Sequence, residues 1–214
     1  MKTASNLLAF AALAATLLLV WRQSWPGRVR LFVVQSVALG VLAVAIGALA
    51  ARPGLLPVAA VFLAIKTWIV PRVLGRIAAG TPVRPVAPRR SSGVSVLVAG
   101  AFVVVAYAVM LPVTGAGGTL PTLGAIPLAF AIVLIGFHMC VTGRDALGQI
   151  LGFLVLENGI FGLALLATYG LPGLLEAGVF LEALVIVLLM EGVVVQIRRA
   201  HDSLAVDRLR DLRG

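Results

Sequence analysis

Long apolar runs separated by short polar connections dominate this chain of 214 residues. Each run is long enough to cross the apolar core of a bilayer as a helix, which takes about 17–25 residues. None shows the alternation of apolar and polar positions that a membrane β-barrel strand requires. The runs cover residues 5–21, 31–51, 55–77, 94–112, 124–142, 147–169 and 173–196. The pattern predicts an all-α, polytopic membrane protein with seven transmembrane helices.

The composition supports this fold class. Hydrophobic residues make up 61% of the chain and charged residues only 12%, whereas a soluble domain has about 25% charged residues. Seven spans leave almost no sequence for a soluble domain. The first run resembles a signal peptide, but it leads directly into Trp21-Arg22-Gln23-Ser24-Trp25, an aromatic and basic anchor typical of a membrane interface, so we expect a retained helix.

The positive charges predict the orientation. If the seven spans alternate in direction across the membrane, 14 of the 17 Lys and Arg residues fall on one side of it, and Lys2 and Arg52 fall on the other. Because cytoplasmic loops of membrane proteins carry the excess of Lys and Arg, we expect the N-terminus outside and the C-terminus in the cytoplasm. The formal net charge of +9 therefore indicates membrane topology and not nucleic-acid binding.

Three ionisable residues lie near the middle of three different runs: Lys66, Glu157 and Glu182. They share a depth within about two helical turns. A charge at the bilayer centre costs at least about 2.5–3.5 kcal/mol, so these groups must pair, face water or move protons. Asn158, beside Glu157, can hydrogen-bond a neighbouring carboxylate or water. Three ionisable residues at one depth predict a proton or ion pathway. The alternative is a static ion pair that holds helices together.

Other polar residues extend this picture. Glu191 lies nine residues after Glu182, about 13 Å nearer the cytoplasm on the opposite helix face; it continues the pathway or snorkels to the interface. His138, one turn inside the cytoplasmic end of its run, is a relay candidate or a hydrogen-bonded bundle histidine. Asp145 is predicted to cap the sixth helix, which places Arg144 at the level of the lipid headgroups.

A proline follows the buried lysine at a spacing that affects the helix. Pro71 lies five residues after Lys66 and frees the carbonyl of Thr67, four residues before it. A freed carbonyl beside a buried lysine is one way to build a polar pocket in lipid.

The sequence offers no set of residues for redox or hydrolytic chemistry. Cys140 is a single thiol, whereas iron–sulfur clusters typically take four cysteines. His138 and His201 have no metal-ligand spacing, and no glycine-rich nucleotide loop follows a strand. We therefore expect no cofactor or metal in this chain, and no catalytic activity of the chain alone.

The C-terminal part resembles the K subunit of bacterial respiratory complex I. The resemblance lies in Thr142-Gly143-Arg144-Asp145, Leu156-Glu157-Asn158-Gly159 and the arginine-rich ending, and it covers residues 124–214. In that family two buried glutamates carry the proton path. Asn158 aligns with the family's asparagine, Glu182 with the second acid, and Glu157 stands one turn after the first acid's position.

The whole chain resembles the membrane protein known as component E in hydrogenase-4 and in related formate hydrogenlyase-type complexes. The matching features are Lys66 with Val70-Pro71, Leu156-Glu157-Asn158-Gly159, Pro172 with Leu175-Glu176-Ala177-Gly178, an acid at position 182 and the tail from His201. Proteins of this kind lie in the membrane arm between antiporter-like proton-pumping subunits and a hydrogenase or other redox module.

The resemblance implies a non-redox subunit of a proton-translocating oxidoreductase complex in the plasma (inner) membrane of a prokaryote. It divides the chain into an N-terminal four-helix region, 1–123, and a K-like three-helix region with a cytoplasmic tail, 124–214. A subunit of a multisubunit cation/proton antiporter, whose C subunit is also K-like but shorter, is the second hypothesis. A purely structural membrane scaffold is the third.

Overall fold

The computed structural model describes residues 2–80, 92–115, 120–143 and 145–169. These residues form helices and no strands. A turn of π-helix, Ile65–Ile69, joins α3 to α4, and a short 3-10 turn, Leu123–Ala125, leads into α6. The helices are α1 (Lys2–Trp21), α2 (Trp25–Leu49), α3 (Leu55–Ala64), α4 (Val70–Gly80), α5 (Ser92–Gly115), α6 (Ile126–Thr142) and α7 (Ala146–Thr168).

The described part of the chain holds six helices that are long and apolar enough to cross a membrane. They are α1, α2, the continuous rod from α3 through α4, α5, α6 and α7. Each corresponds to one of the first six apolar runs, so the prediction of an all-helical, membrane-type fold is confirmed for these residues. The predicted seventh span, 173–196, lies outside the described residues.

The second helix begins earlier than its apolar run. The run predicts a start at residue 31, whereas α2 starts at Trp25 and includes Arg28 and Arg30. Pro26 falls in the first turn, where a missing backbone N–H costs nothing because that group has no partner within the helix. Arginine side chains tolerate such positions since their long stems can follow apolar surface to the interface.

Two helical hairpins form the centre of the fold. The α1–α2 pair packs against the α6–α7 pair through contacts of α1 with α6 and of α2 with α7. The rod of α3 and α4 lies against α2 and reaches α7, whereas α5 lies against α1 and α6. Only 11% of the most apolar stretch of α5 is buried, so the described part of the chain leaves most of this helix uncovered.

Glycines bring the backbones of α6 and α7 into direct contact. A Cβ added at Gly152 would lie 2.5 Å from the backbone nitrogen of Cys140, and one added at Gly159 would lie 2.6 Å from that of Val133. Gly136, on α6, meets the backbone of Leu156 in the same way. The helices therefore run antiparallel, in a register that only glycine permits at these three positions.

Substitution of Gly152 by alanine is expected to lower the free energy of unfolding. The added methyl group meets backbone, which cannot rotate away, and overpacking of this kind costs about 1–3 kcal/mol. The measurement is unfolding of the purified protein in detergent. Gly100→Ala is the matched control, because nothing lies within 4 Å of the added carbon there. Equal stability of the two variants would contradict the described register.

Asp145 caps α7, as the sequence predicts. Its Oδ1 accepts a hydrogen bond from the backbone nitrogen of Gly148 at 2.5 Å, and its backbone is extended. Arg144, beside it, lies outside the described residues.

Loss of this cap should weaken the start of α7. We expect Asp145→Ala to cost about 1 kcal/mol of unfolding free energy, since a helix N–H then loses its acceptor. Asp145→Asn should stay near wild type, because asparagine caps as well as aspartate. Both are measured by the same detergent unfolding assay, and an equal loss in the two variants would show that the charge matters and not the cap.

Candidate functional site

Lys66 lies inside the π-helical turn between α3 and α4 and is completely buried, with 0% of its surface exposed. In this turn the backbone nitrogen of Val70 donates to the carbonyl of Ile65, five residues earlier. Pro71 follows directly. A proline ring clashes with the carbonyl four residues before it, and a widened turn makes room for that clash. π-Turns of this kind often mark functional positions in helices.

Glu157 of α7 is the partner of Lys66. The Lys66 Nζ lies 2.8 Å from Glu157 Oε2, and the two side chains are 1% and 8% exposed. The sequence predicts that these residues share a depth, and the structure joins them in one hydrogen-bonded ion pair. At this distance in a low-dielectric interior the attraction is strong, but so is the cost of removing both charges from water.

Aromatic rings enclose the ammonium group. The Lys66 Nζ lies 5.9 Å from the ring centroids of both Phe32 and Phe62, a distance at which cation–π attraction contributes. Phe62 in turn stacks on Phe161, with centroids 4.1 Å apart and planes inclined by 11°. Phe62 precedes Lys66 by one turn and Phe161 follows Glu157 by one turn, so the stack fixes α3 against α7 beside the ion pair.

A chain of buried polar side chains starts at the residue next to Glu157. The Asn158 Nδ2 donates to Ser36 Oγ at 2.9 Å and to Gln35 Oε1 at 3.2 Å. The Gln35 Nε2 donates to Thr16 Oγ1 at 2.9 Å. All four side chains are fully buried. The ion pair between α3–α4 and α7 is thus flanked by a hydrogen-bonded chain across α7, α2 and α1.

His138 lies on α6 near the level of the pair but belongs to another contact. Its ring packs on Phe102 of α5, with centroids 5.2 Å apart. The contact of Gly136 with Leu156 places Glu157 opposite about residue 135 of α6, so His138 is displaced by about 4.5 Å along the helix. The structure therefore places His138 about one turn from the pair and partly exposed.

The remaining predicted site residues lie outside the described residues: Arg144, Glu182 and Glu191. Within the described ranges, no group of three or more His, Cys, Asp and Glu side chains is arranged to hold a metal ion.

Sequence reasoning missed the aromatic enclosure and the Thr16 end of the polar chain. The four-residue spacings Phe62 to Lys66 and Glu157 to Phe161 are a signal that could have suggested the first, because side chains one turn apart lie on the same helix face. Thr16 stands in an apolar run without any such signal.

The arrangement can hold and transfer one proton. An ammonium and a carboxylate joined by one hydrogen bond convert to an amine and a carboxylic acid when the proton crosses between them. Burial penalises the charged form of each group, whereas the opposite charge nearby favours it. The balance of these two effects decides whether the charged or the neutral form of the pair is favoured.

Comparison with known proteins gives a full-length similarity and several partial ones. Over an alignment of 214 residues the chain is 32% identical to the Uncharacterized protein Rv0085 of Mycobacterium tuberculosis, covering 98% of this chain and 97% of that protein. Over 90 residues it is 32% identical to hydrogenase-4 component E of Escherichia coli, covering 42% of each protein, and to the component E of Shigella flexneri to the same extent. No family model and no solved structure matches the chain.

The full-length similarity establishes the family, and the partial similarities relate 90 residues of the chain to hydrogenase-4 component E. Identity of 32% that spans nearly all of both proteins, together with helices of membrane-spanning length, leads to one assignment: the chain belongs to the same family as the mycobacterial protein Rv0085.

Proposed function

We propose that this chain is a membrane-arm subunit of a hydrogenase-4-like, complex-I-related oxidoreductase complex, and that its buried Lys66–Glu157 pair carries protons. The observation that carries the proposal is the 2.8 Å ion pair buried among membrane-length helices. The 90-residue similarity to hydrogenase-4 component E supports the type of complex.

The proposed chemistry is a charge-state cycle of the pair. The ammonium of Lys66 passes a proton to the carboxylate of Glu157, which leaves an amine and a carboxylic acid. Glu157 then releases the proton on one side, and Lys66 takes up another from the opposite side. Conformational or charge changes in neighbouring subunits would drive the cycle, so this chain needs no cofactor and performs no redox step itself.

The other residues predicted from the sequence complete the proposal. Residues 173–196 form a seventh span with Glu182 at the depth of the pair, and Glu191 extends the path toward the cytoplasm. His138 is a further relay, Asn158 supports Glu157, and Arg144 lies at the headgroup level. The N-terminus lies outside and the C-terminus in the cytoplasm of a prokaryotic plasma membrane. Residues 124–214 form the K-like region that meets antiporter-like subunits, and residues 1–123 form the added four-helix region.

The partners provide the test. We expect this chain, tagged and purified in mild detergent, to bring with it antiporter-like membrane proteins and subunits with Cys-rich or nickel-site motifs, identified by mass spectrometry. An unrelated tagged membrane protein from the same cells is the control. Antiporter subunits without redox subunits would favour the cation/proton antiporter instead. Recovery of the chain alone would contradict the proposal.

A further inference from the structure

The polar chain beside the ion pair has a fixed direction. The Thr16 hydroxyl donates to the carbonyl of Ala12 at 2.8 Å, so its oxygen must accept from Gln35. The Ser36 hydroxyl donates to the carbonyl of Phe32 at 2.9 Å, so its oxygen must accept from Asn158. A hydroxyl has only one hydrogen, and each of these two hydrogens is taken by a helix carbonyl. Hydrogen bonds in the polar chain are therefore donated in one direction, from α7 to α2 and from α2 to α1.

This direction fixes the side-chain amide of Asn158. Its nitrogen donates to Ser36 Oγ and to Gln35 Oε1, which uses both of its hydrogens. A flipped amide would place its oxygen against the Ser36 and Gln35 oxygens, neither of which has a hydrogen left to donate. The oxygen Oδ1 of Asn158 therefore points away from α2, and its orientation follows from the network.

Asn158 Oδ1 is a buried acceptor that needs a donor. Asn158 is 0% exposed, and no donor among the described residues lies within hydrogen-bond reach of this oxygen. Buried polar atoms of native proteins have a protein or water partner in the great majority of cases. The neighbouring side chains of Gln35 and Ser36 direct their donors elsewhere, to Thr16 and to the carbonyl of Phe32.

The residue before Asn158 on α7 is Glu157, whose carboxylate is also buried. The described hydrogen bond of Glu157 uses Oε2, which leaves its second oxygen as another acceptor. Phe32 contacts both the ion pair and the polar chain, because its ring faces the Lys66 ammonium and its carbonyl accepts a hydrogen bond from the Ser36 hydroxyl. A small donor suits the unpartnered Asn158 oxygen, and buried waters typically make about three hydrogen bonds to buried polar groups that lack other partners.

We propose that Asn158 Oδ1 binds a buried water molecule beside the Glu157 carboxylate. Asn158 is then a positioning residue, which holds the water but does not relay protons, since its two N–H bonds are committed. The presence of the water does not depend on the proposed function. Its role does rest on that function: the water is the group that takes the proton from Glu157 or delivers it.

Electron cryomicroscopy of the full chain in its native complex, at a resolution that shows ordered water, tests the site. We expect an isolated density peak about 2.7–3.1 Å from Asn158 Oδ1. The peak should persist in Gln149→Leu, which makes the same amide-to-leucine change at an exposed position of α7, and disappear in Asn158→Leu, which removes Oδ1. Absence of the peak in the wild type, or density continuous with a protein side chain, would overturn the proposal. A peak that stays in Asn158→Leu would do the same.

Proton translocation separates the water from the function. We expect Asn158→Leu to slow translocation severalfold while Gln149→Leu, the same amide-to-leucine change at an exposed position of α7, stays near wild type. A normal rate in Asn158→Leu, with the peak gone, overturns the role of the water. A normal rate in Glu157→Gln overturns the proposed function instead, and the density peak then still establishes the water site by itself.

Discussion

Replacement of Lys66 by methionine should lower the free energy of unfolding by about 3–5 kcal/mol, the usual result of removing one partner of a buried ion pair. Methionine fills much of the space of the lysine stem, so little of the loss comes from a cavity. The cost arises because Glu157 keeps a buried carboxylate whose 2.8 Å partner is gone. Detergent-induced unfolding of the purified chain measures it.

Arg76→Met is the matched control for this result. Arg76 is a cation of the same helical rod, but its side chain is exposed, so the change should stay within about 0.5 kcal/mol. The double variant Lys66→Met/Glu157→Leu should recover most of the stability, because well-packed apolar residues replace a buried ion pair at little or no cost. A double variant as unstable as the sum of the single ones would show that the two residues do not interact.

Replacement of Glu157 by glutamine should strongly slow proton movement while the complex still assembles. Glutamine keeps the size of the side chain and an oxygen that can accept from Lys66, but it has no carboxyl group to take up and release a proton. Groups that transfer protons typically contribute about 10²–10⁴-fold to a rate, so we expect translocation to fall at least about tenfold. Acidification of membrane vesicles during turnover of the redox module measures it.

The control for this variant is Asp145→Asn, which makes the same carboxylate-to-amide change at the start of the same helix and preserves the cap. It should translocate protons like the wild type. Glu157→Gln complexes that assemble and translocate at the wild-type rate would exclude Glu157 from the pathway.

The sequence predicts the two charged members of the site but not their surroundings. Lys66 and Glu157 stand out because a charge in an apolar run is costly wherever the helices lie. Their pairing depends on the rotation and neighbours of α3 and α7. Those helices are apolar on nearly all sides, so periodicity carries little information on which face meets which helix.

The missed features share a physical cause. Phe32, Phe62 and Phe161 are ordinary residues for a membrane helix and acquire a role only through contacts between helices. The π-turn at Lys66 is a local change of backbone hydrogen bonding, for which Pro71 is the only signal in the sequence. Similarly, the early start of α2 at Trp25 follows from the tolerance of the first helical turn for Pro26, which outweighs the polar character of that segment.

Proton translocation by the Lys66→Met/Glu157→Leu complex tests the central claim most directly. In this variant methionine and leucine replace the ion pair, and we expect them to preserve the packing and the stability of the fold. A structural role of the two positions is then kept, whereas a proton-carrying role is lost. We predict a complex that assembles, transfers electrons and fails to acidify the vesicles. Acidification at the wild-type rate would show that the pair only holds α3 and α7 together, and would contradict the account.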